Sequence, residues 1–193
     1  MARRIGVLAL QGDFEAHEKA LGSAGAEAVP VRSEAELETV DGLVIPGGES
    51  TTMLKLLRYE NLFEPLREWG KRKPIFGTCA GAILIASEVS SPEQESLELV
   101  DMGIQRNAYG RQLDSRVVRI PWSNGHEGEL EAVFIRAPII RRVGESGKVM
   151  ASYQGDPVLV DFGQHLVATF HPELTKDSTV HKIFIDRVEK WQG

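Results

Sequence analysis

Cysteine is almost absent from this sequence: Cys79 is the only one in 193 residues. An internal disulfide is therefore excluded, and a structural zinc site, which usually draws on several cysteine or histidine ligands, has little to draw on. Long apolar runs are missing too, and none approaches the roughly 18 residues that a membrane helix needs. The basic opening Met1-Ala2-Arg3-Arg4 leads into a short apolar stretch that ends at polar Gln11-Gly12-Asp13, so a strand accounts for it better than a signal peptide does. There is no basic excess either. With 22 Lys and Arg against 28 Asp and Glu, the net charge of −6 favours solubility and gives no support to a nucleic-acid surface. A reducing cytoplasm is the expected location. Repeats, low-complexity tracts and domain linkers are also missing, so residues 1–193 are expected to form one domain, near the size at which a single core is fully buried.

What is present is the composition of an ordinary globular protein, 42% hydrophobic and 26% charged. Residues 5–10 form a short apolar run that reads as a buried strand, and Asp13 can cap a helix carrying Phe14, His17, Ala20 and Leu21. Further strands are predicted at 28–31, 42–45 and 74–76, with helices at 50–57, 62–69 and 80–87. Buried strands alternating with helices indicate an α/β fold. From about Ser90 the rhythm changes, and β-like segments at 117–120, 133–135, 149–153, 158–162 and 166–170 precede a last helix at 180–191. The expected architecture is a mostly parallel central sheet flanked by helices, with added antiparallel strands in the C-terminal half. Its chemistry should lie on loops at the strand ends.

Three segments carry chemistry. In Gly77-Thr78-Cys79-Ala80-Gly81 a buried strand enters a tight turn and a helix leaves it, the context of a nucleophile elbow with cysteine in the place of serine. Glycines allow the chain to pack around such a turn, and the start of a helix favours a thiolate. A lone cysteine is otherwise often just a buried, inert side chain. A nucleophilic cysteine needs a base that also returns a proton to the leaving group. His171, in Thr169-Phe170-His171-Pro172-Glu173, follows an apolar run at a strand end, and Glu173 can fix its tautomer as the acid member of a triad does. His17, His126, His165 and His181 are read as surface or satisfied core residues. In Pro46-Gly47-Gly48-Glu49-Ser50, a Gly-Gly pair can present an amide to a developing oxyanion, with the amide of Ala80 as the second donor. The same loop could simply be a helix start capped by Ser50. No Gly-Lys-Ser/Thr follows, so it is not a phosphate loop.

Together these segments resemble the class I (triad) glutamine amidotransferases along nearly the whole chain, which implies a flavodoxin-like fold. Leu8-Ala9-Leu10-Gln11-Gly12, Arg106-Asn107-Ala108-Tyr109-Gly110-Arg111-Gln112 and Phe134-Ile135-Arg136-Ala137-Pro138 narrow the resemblance to the glutaminase subunits of pyridoxal 5′-phosphate synthase. The resemblance implies hydrolysis of L-glutamine to glutamate and ammonia, with Cys79 attacking the amide, His171 as base and Glu173 holding it. It places Gly47, Gly48, Glu49, Arg106, Ile135 and Arg136 at the glutamine site, with Gly48 and Ala80 serving the oxyanion. It implies no cofactor and no metal for this chain. It also implies a partner: a synthase (lyase) subunit that receives the ammonia in a large hetero-oligomeric complex, docked around Gln11 and the first helix. Taken as residues alone, Arg106 and Arg136 could equally be surface charges.

Two other readings stay open. One is a glutaminase serving a synthase that makes an imidazole or a purine. The other is a non-catalytic, thiol-sensing α/β protein, against which a late His-x-Glu counts. A purely structural interaction module has no need of the three loops together.

Overall fold

Short runs of fully apolar residues build the centre of the molecule. The computed structural model describes residues 3–108, 116–123 and 125–192. In chain order it contains β1 (Arg4–Leu8), α1 (Phe14–Ser23), β2 (Glu27–Val31), α2 (Glu34–Leu37), β3 (Gly42–Ile45), α3 (Ser50–Tyr59), α4 (Phe63–Gly70), β4 (Ile75–Thr78) and α5 (Ala80–Ile85). The second half adds β5 (Ala86–Ser90), β6 (Val100–Gln105), β7 (Arg116–Pro121), β8 (Glu129–Phe134), β9 (Ile139–Val143), β10 (Lys148–Tyr153), β11 (Asp156–Asp161), β12 (Leu166–Ala168), a 3-10 turn (Pro172–Leu174) and α6 (Thr179–Lys190).

The main sheet has the order β10-β11-β12-β4-β3-β1-β2. From β2 to β12 all neighbours are parallel, and β11 and β10 extend the sheet antiparallel. Its parallel part runs β2-β1-β3-β4-β12, the doubly wound order whose active sites gather at the carboxyl ends of the strands. That is the α/β architecture expected from the sequence, antiparallel additions included. A three-stranded sheet (β5-β6-β9) and a two-stranded ribbon (β7-β8) lie beside it.

Strand residues alternate between two cores. Leu43, Ile45, Ile75 and Val167 face Met53, Leu57, Phe63, Leu66 and Trp69 on the side of α3 and α4. Ile5, Val7, Val44, Phe76 and Ala168 face Leu21, Val180, Phe184 and Val188 on the side of α1 and α6. Each large aliphatic or aromatic side chain fully buried in this way contributes about 1.5–3 kcal/mol relative to exposure. The two cores clamp the sheet from both faces and fix the positions of its strand ends.

Three local readings are corrected. The helix expected over 80–87 stops at Ile85, because Ala86 is extended (ψ 150°) and the Ser87 hydroxyl bonds both the N–H and the carbonyl of Met102. Helix α3 is capped by the Glu49 carboxylate, which accepts the Thr52 N–H at 3.0 Å; Ser50 is instead its buried first residue. The strand read at 166–170 ends at Ala168. Elements α2, β5, β6 and β9 had no counterpart in the sequence reading.

Candidate active site

β4 ends at Thr78, and Cys79 turns the chain at φ 50° and ψ −105° before α5 begins. A cysteine at positive φ is held there by its surroundings. Its N–H donates to the Ala168 carbonyl of neighbouring β12 at 2.9 Å. Gly81 explains the elbow's glycine requirement: any Cβ there would collide with the Ile45 carbonyl oxygen at the end of β3. The Cys79 side chain is 6% exposed, and its Sγ lies 4.0 Å from the Ile135 carbonyl oxygen.

β12 leads to His171, the residue expected to be the base. His171 follows it after two residues, and its N–H donates to the Val133 carbonyl of β8 at 2.8 Å, which locks its backbone to the ribbon. Glu173, in the 3-10 turn, places Oε1 2.6 Å from His171 Nδ1, a charge-assisted bond. The other face of the imidazole meets Cys79 within hydrogen-bonding reach. Burial opposes the imidazolium most strongly, yet the bonds to Cys79 and Glu173 and their charges together outweigh it and push the His171 pKa up to about 10. Cys79, His171 and Glu173 thus stand in a row in which a thiol meets an imidazole and the imidazole meets a carboxylate, an arrangement able to support covalent amide hydrolysis.

The Gly-Gly loop after β3 closes over this group. Gly47 is buried so close to the triad that a Cβ would strike the His171 ring and lie against Cys79 Cβ at 3.2 Å. Gly48 (φ 149°) has no room for a Cβ either, because the Gln11 side chain fills that space. Gln11 Oε1 accepts the Glu49 N–H at 2.9 Å, so the end of β1 holds the loop in place. Ala80, buried, occupies the first position of α5 beside the nucleophile.

Arg106 follows β6 and is nearly buried, with 11% of its side chain exposed. It donates to Thr51 Oγ1 at 2.7 Å and lies 3.8 Å from Glu49 Oε1. Gln94 holds the same wall: its Oε1 accepts from Ser50 and Thr51, and its Nε2 is buried without a partner. Gln94 lies in no recognisable motif of the sequence. Ile135 and Arg136 follow β8; their side chains are exposed, and Arg136 sits at φ 43°. The residues expected at the glutamine site therefore converge on Cys79 or on the loop beside it, with Arg136 next in the chain to Ile135. The Tyr109-Gly110-Arg111-Gln112 portion of the motif lies outside the described residues.

Two histidines read as surface or satisfied core residues lie behind this site. His17 of α1 is fully buried, with Nε2 3.3 Å from Glu173 Oε2 and 3.2 Å from Thr78 Oγ1. Its Nδ1 lies 3.0 Å from Nε2 of equally buried His181 in α6. Burial above all, then the neighbouring His181 and His171 imidazoles, hold His17 well below the ordinary histidine pKa. Burial lowers His181 to about 4, against a smaller upward pull from Asp177. Among the described residues, no group of three or more His, Cys, Asp or Glu side chains could hold a metal ion, and no helix is long and apolar enough to cross a membrane.

A sequence model of the SNO glutamine amidotransferase family matches residues 7–190. The chain is 58% identical over 191 residues to the pyridoxal 5′-phosphate synthase subunit PdxT of Solibacter usitatus, covering 96% of this chain and all of that protein. It is 48% identical to the subunit of the same name from Brevibacillus brevis, covering 98% of this chain and all of that one. A crystal structure of a glutamine amidotransferase superposes with a TM-score of 0.88 at 42% identity, over 96% of this chain and 98% of the other. A putative GMP synthase component from Thermoplasma acidophilum, at TM-score 0.75 but 16% identity over all of this chain and 96% of the other, shares the fold alone.

Proposed function

The chain belongs to the SNO glutamine amidotransferase family, and from that premise we propose that it is the glutaminase subunit of a pyridoxal 5′-phosphate synthase. Cys79, His171 and Glu173 perform the hydrolysis. The observation that carries the triad is the geometry at the elbow: a cysteine held at positive φ faces an imidazole whose far nitrogen is 2.6 Å from a buried carboxylate. The Cys79 sulfur attacks the side-chain amide carbon of glutamine. His171 holds the proton taken from the thiol and returns it to the departing nitrogen, so ammonia leaves and a glutamyl thioester remains. Water, deprotonated by the same imidazole, then releases glutamate and restores the thiol. Glu173 keeps the Nδ1–H tautomer throughout and stabilises the imidazolium.

The amides of Gly48 and Ala80 receive the oxyanion, and Glu49, Arg106, Ile135 and Arg136 line the glutamine site. Direct support comes from the proximity of Gly47 to the triad and of the Ile135 carbonyl to Sγ. The ammonia passes to a synthase subunit that docks near Gln11 and α1. That docking reading is supported by the Gln11 bond to Glu49, which ties the proposed contact surface to the oxyanion loop. A glutaminase of another pathway is disfavoured by full-length identity of 58% to a pyridoxal 5′-phosphate synthase component, against a likeness in fold alone to the GMP synthase component.

The test is glutamate release from glutamine by the purified chain, alone and with the synthase partner of a pyridoxal 5′-phosphate synthase. Stimulation by the partner, reduced roughly 1,000-fold or more in Cys79→Ala, is expected. Activity indifferent to that partner overturns the pathway, and wild-type rates in Cys79→Ala overturn the triad.

A further inference from the structure

Glu173 has two oxygens, and the triad uses only one. Oε1 takes the His171 Nδ1–H, while Oε2 is buried without a well-aligned hydrogen bond and faces His17 Nε2 at 3.3 Å. We propose that His17 is a positioning residue for the triad: it presents an Nε2–H to Glu173 Oε2 and is fixed in that tautomer by His181.

The tautomers follow from the pairing. An ionised carboxylate only accepts hydrogen bonds, so a lone pair on His17 Nε2 would stand against Oε2; the proton therefore belongs on Nε2, shared between Oε2 and Thr78 Oγ1. A neutral His17 then has a bare Nδ1, and the 3.0 Å contact to His181 Nε2 requires that nitrogen to donate. His181 Nδ1 is left without a proton, and it is indeed a buried nitrogen with no partner. One orphaned acceptor at the end of the chain is the cost of a donor placed on the carboxylate. Burial of both imidazoles keeps them neutral, so the donor persists across the working pH range.

The other groups facing this chain are few. His171 lies on the Oε1 side of Glu173, Asp177 acts on His181 from the segment before α6, and the edge of Phe76 packs on the His181 ring at 5.9 Å. Lys19, Glu131, Lys176 and Asp177 line the open groove outside the 3-10 turn. Among the described residues, no cation is shown paired with Oε2. Without His17 the Oε2 side of the carboxylate would lose the donor that orients it, and its hold on His171 Nδ1 would loosen.

The inference rests on the glutaminase reading, and its test separates the two. His17→Leu fills the space without a donor, whereas His17→Gln can place an amide N–H where Nε2 stood. With the synthase partner present, His17→Leu should lower kcat roughly tenfold or more, with KM for glutamine within about twofold. His17→Gln should recover most of that loss. A Gln variant no better than Leu, or a loss that falls on KM instead of kcat, overturns the proposal. Long-range proton–nitrogen correlation spectra of the 15N-histidine-labelled wild type need no variant and no activity. His17 and His181 should both appear as neutral Nε2–H tautomers. An Nδ1–H or doubly protonated His17 overturns the assignment even in a fully active enzyme, and an inactive wild type with the expected tautomers counts against the glutaminase reading instead.

Discussion

Cys79, His171 and Glu173 stand at the ends of strands whose residues are buried throughout, β4 and β12. Arg106, Ile135 and Arg136 follow β6 and β8, strands that show solvent at alternate or outer positions. The two regions also differ in what holds them. The first is set by close backbone packing (Gly81 against Ile45, Gly47 against His171), where no side chain larger than hydrogen fits. The second is set by polar side chains, Arg106 to Thr51 and Gln94 to Ser50 and Thr51, that could rearrange around a ligand. The groups proposed to make and break bonds are held by close packing around glycines, while those proposed to recognise glutamine are held by polar side-chain contacts.

The largest effect that can break this comparison is expected at the elbow. Gly81→Ala forces either β3 or α5 to move, because the colliding atom is backbone, and should cost about 3 kcal/mol or more. In a chain of this length that lowers Tm by roughly 6–12 °C. Gly125→Ala, in the β7–β8 connection, meets no atom within 4 Å and is strained only by its φ of 86°, so it should cost about 1–2 kcal/mol. Equal shifts in Tm for the two variants would show that the elbow has slack after all.

A smaller effect is expected on the recognition wall. Arg106→Ala removes a charged group proposed to bind glutamine and leaves the sheet alone. KM should rise roughly ten- to a hundredfold, the equivalent of one charge-assisted hydrogen bond, with kcat affected far less. Steady-state kinetics with glutamine decide it. A kcat loss at unchanged KM would move Arg106 from recognition to chemistry.

This division also governs what could be read from the sequence. The elbow was legible because its requirement is local: five consecutive residues carry the strand end, the turn and both glycines. His171 and Glu173 are two residues apart and were legible for the same reason. Elements β5, β6 and β9 were not, since their burial patterns are broken by exposed positions and register shifts that only their partners explain. The helix read through Ser87 stops earlier because Ser87 finds Met102, fifteen residues on, and periodicity cannot announce that contact. The least legible feature is the His17–His181 pair, joined across 164 residues. Each lies on the buried face of its own helix, where an apolar residue would give the same pattern, so only the fold reveals that they meet.

The smallest effect tests whether burial, the hallmark of the first region, carries its own liability in acid. His165 precedes β12, is 4% exposed, and accepts the Ile75 N–H on Nδ1 at 3.1 Å at the start of β4. Burial, and then the Arg187 charge, lower its pKa to about 4. Above about pH 6.5 the imidazole is neutral in both folded and unfolded chains, and no stability is lost. As pH falls from there toward 4, the unfolded chain binds a proton that the folded chain refuses. Stability then declines by roughly 1.4 kcal/mol per pH unit on account of this residue, until the folded imidazole also titrates. His165→Gln keeps an acceptor for the Ile75 N–H but cannot titrate. Its urea unfolding free energy should therefore fall less between pH 7 and pH 5 than that of the wild type, by about 2 kcal/mol. The exposed Arg142 pairs with Asp101 and Glu88 belong to the other region, and Arg142→Ala should leave the wild-type acid slope unchanged over the same range. Parallel curves for wild type and His165→Gln would mean that the folded imidazole takes up its proton as readily as the unfolded one. The acid sensitivity of the buried sheet between pH 7 and pH 5 would then point to His17 and His181.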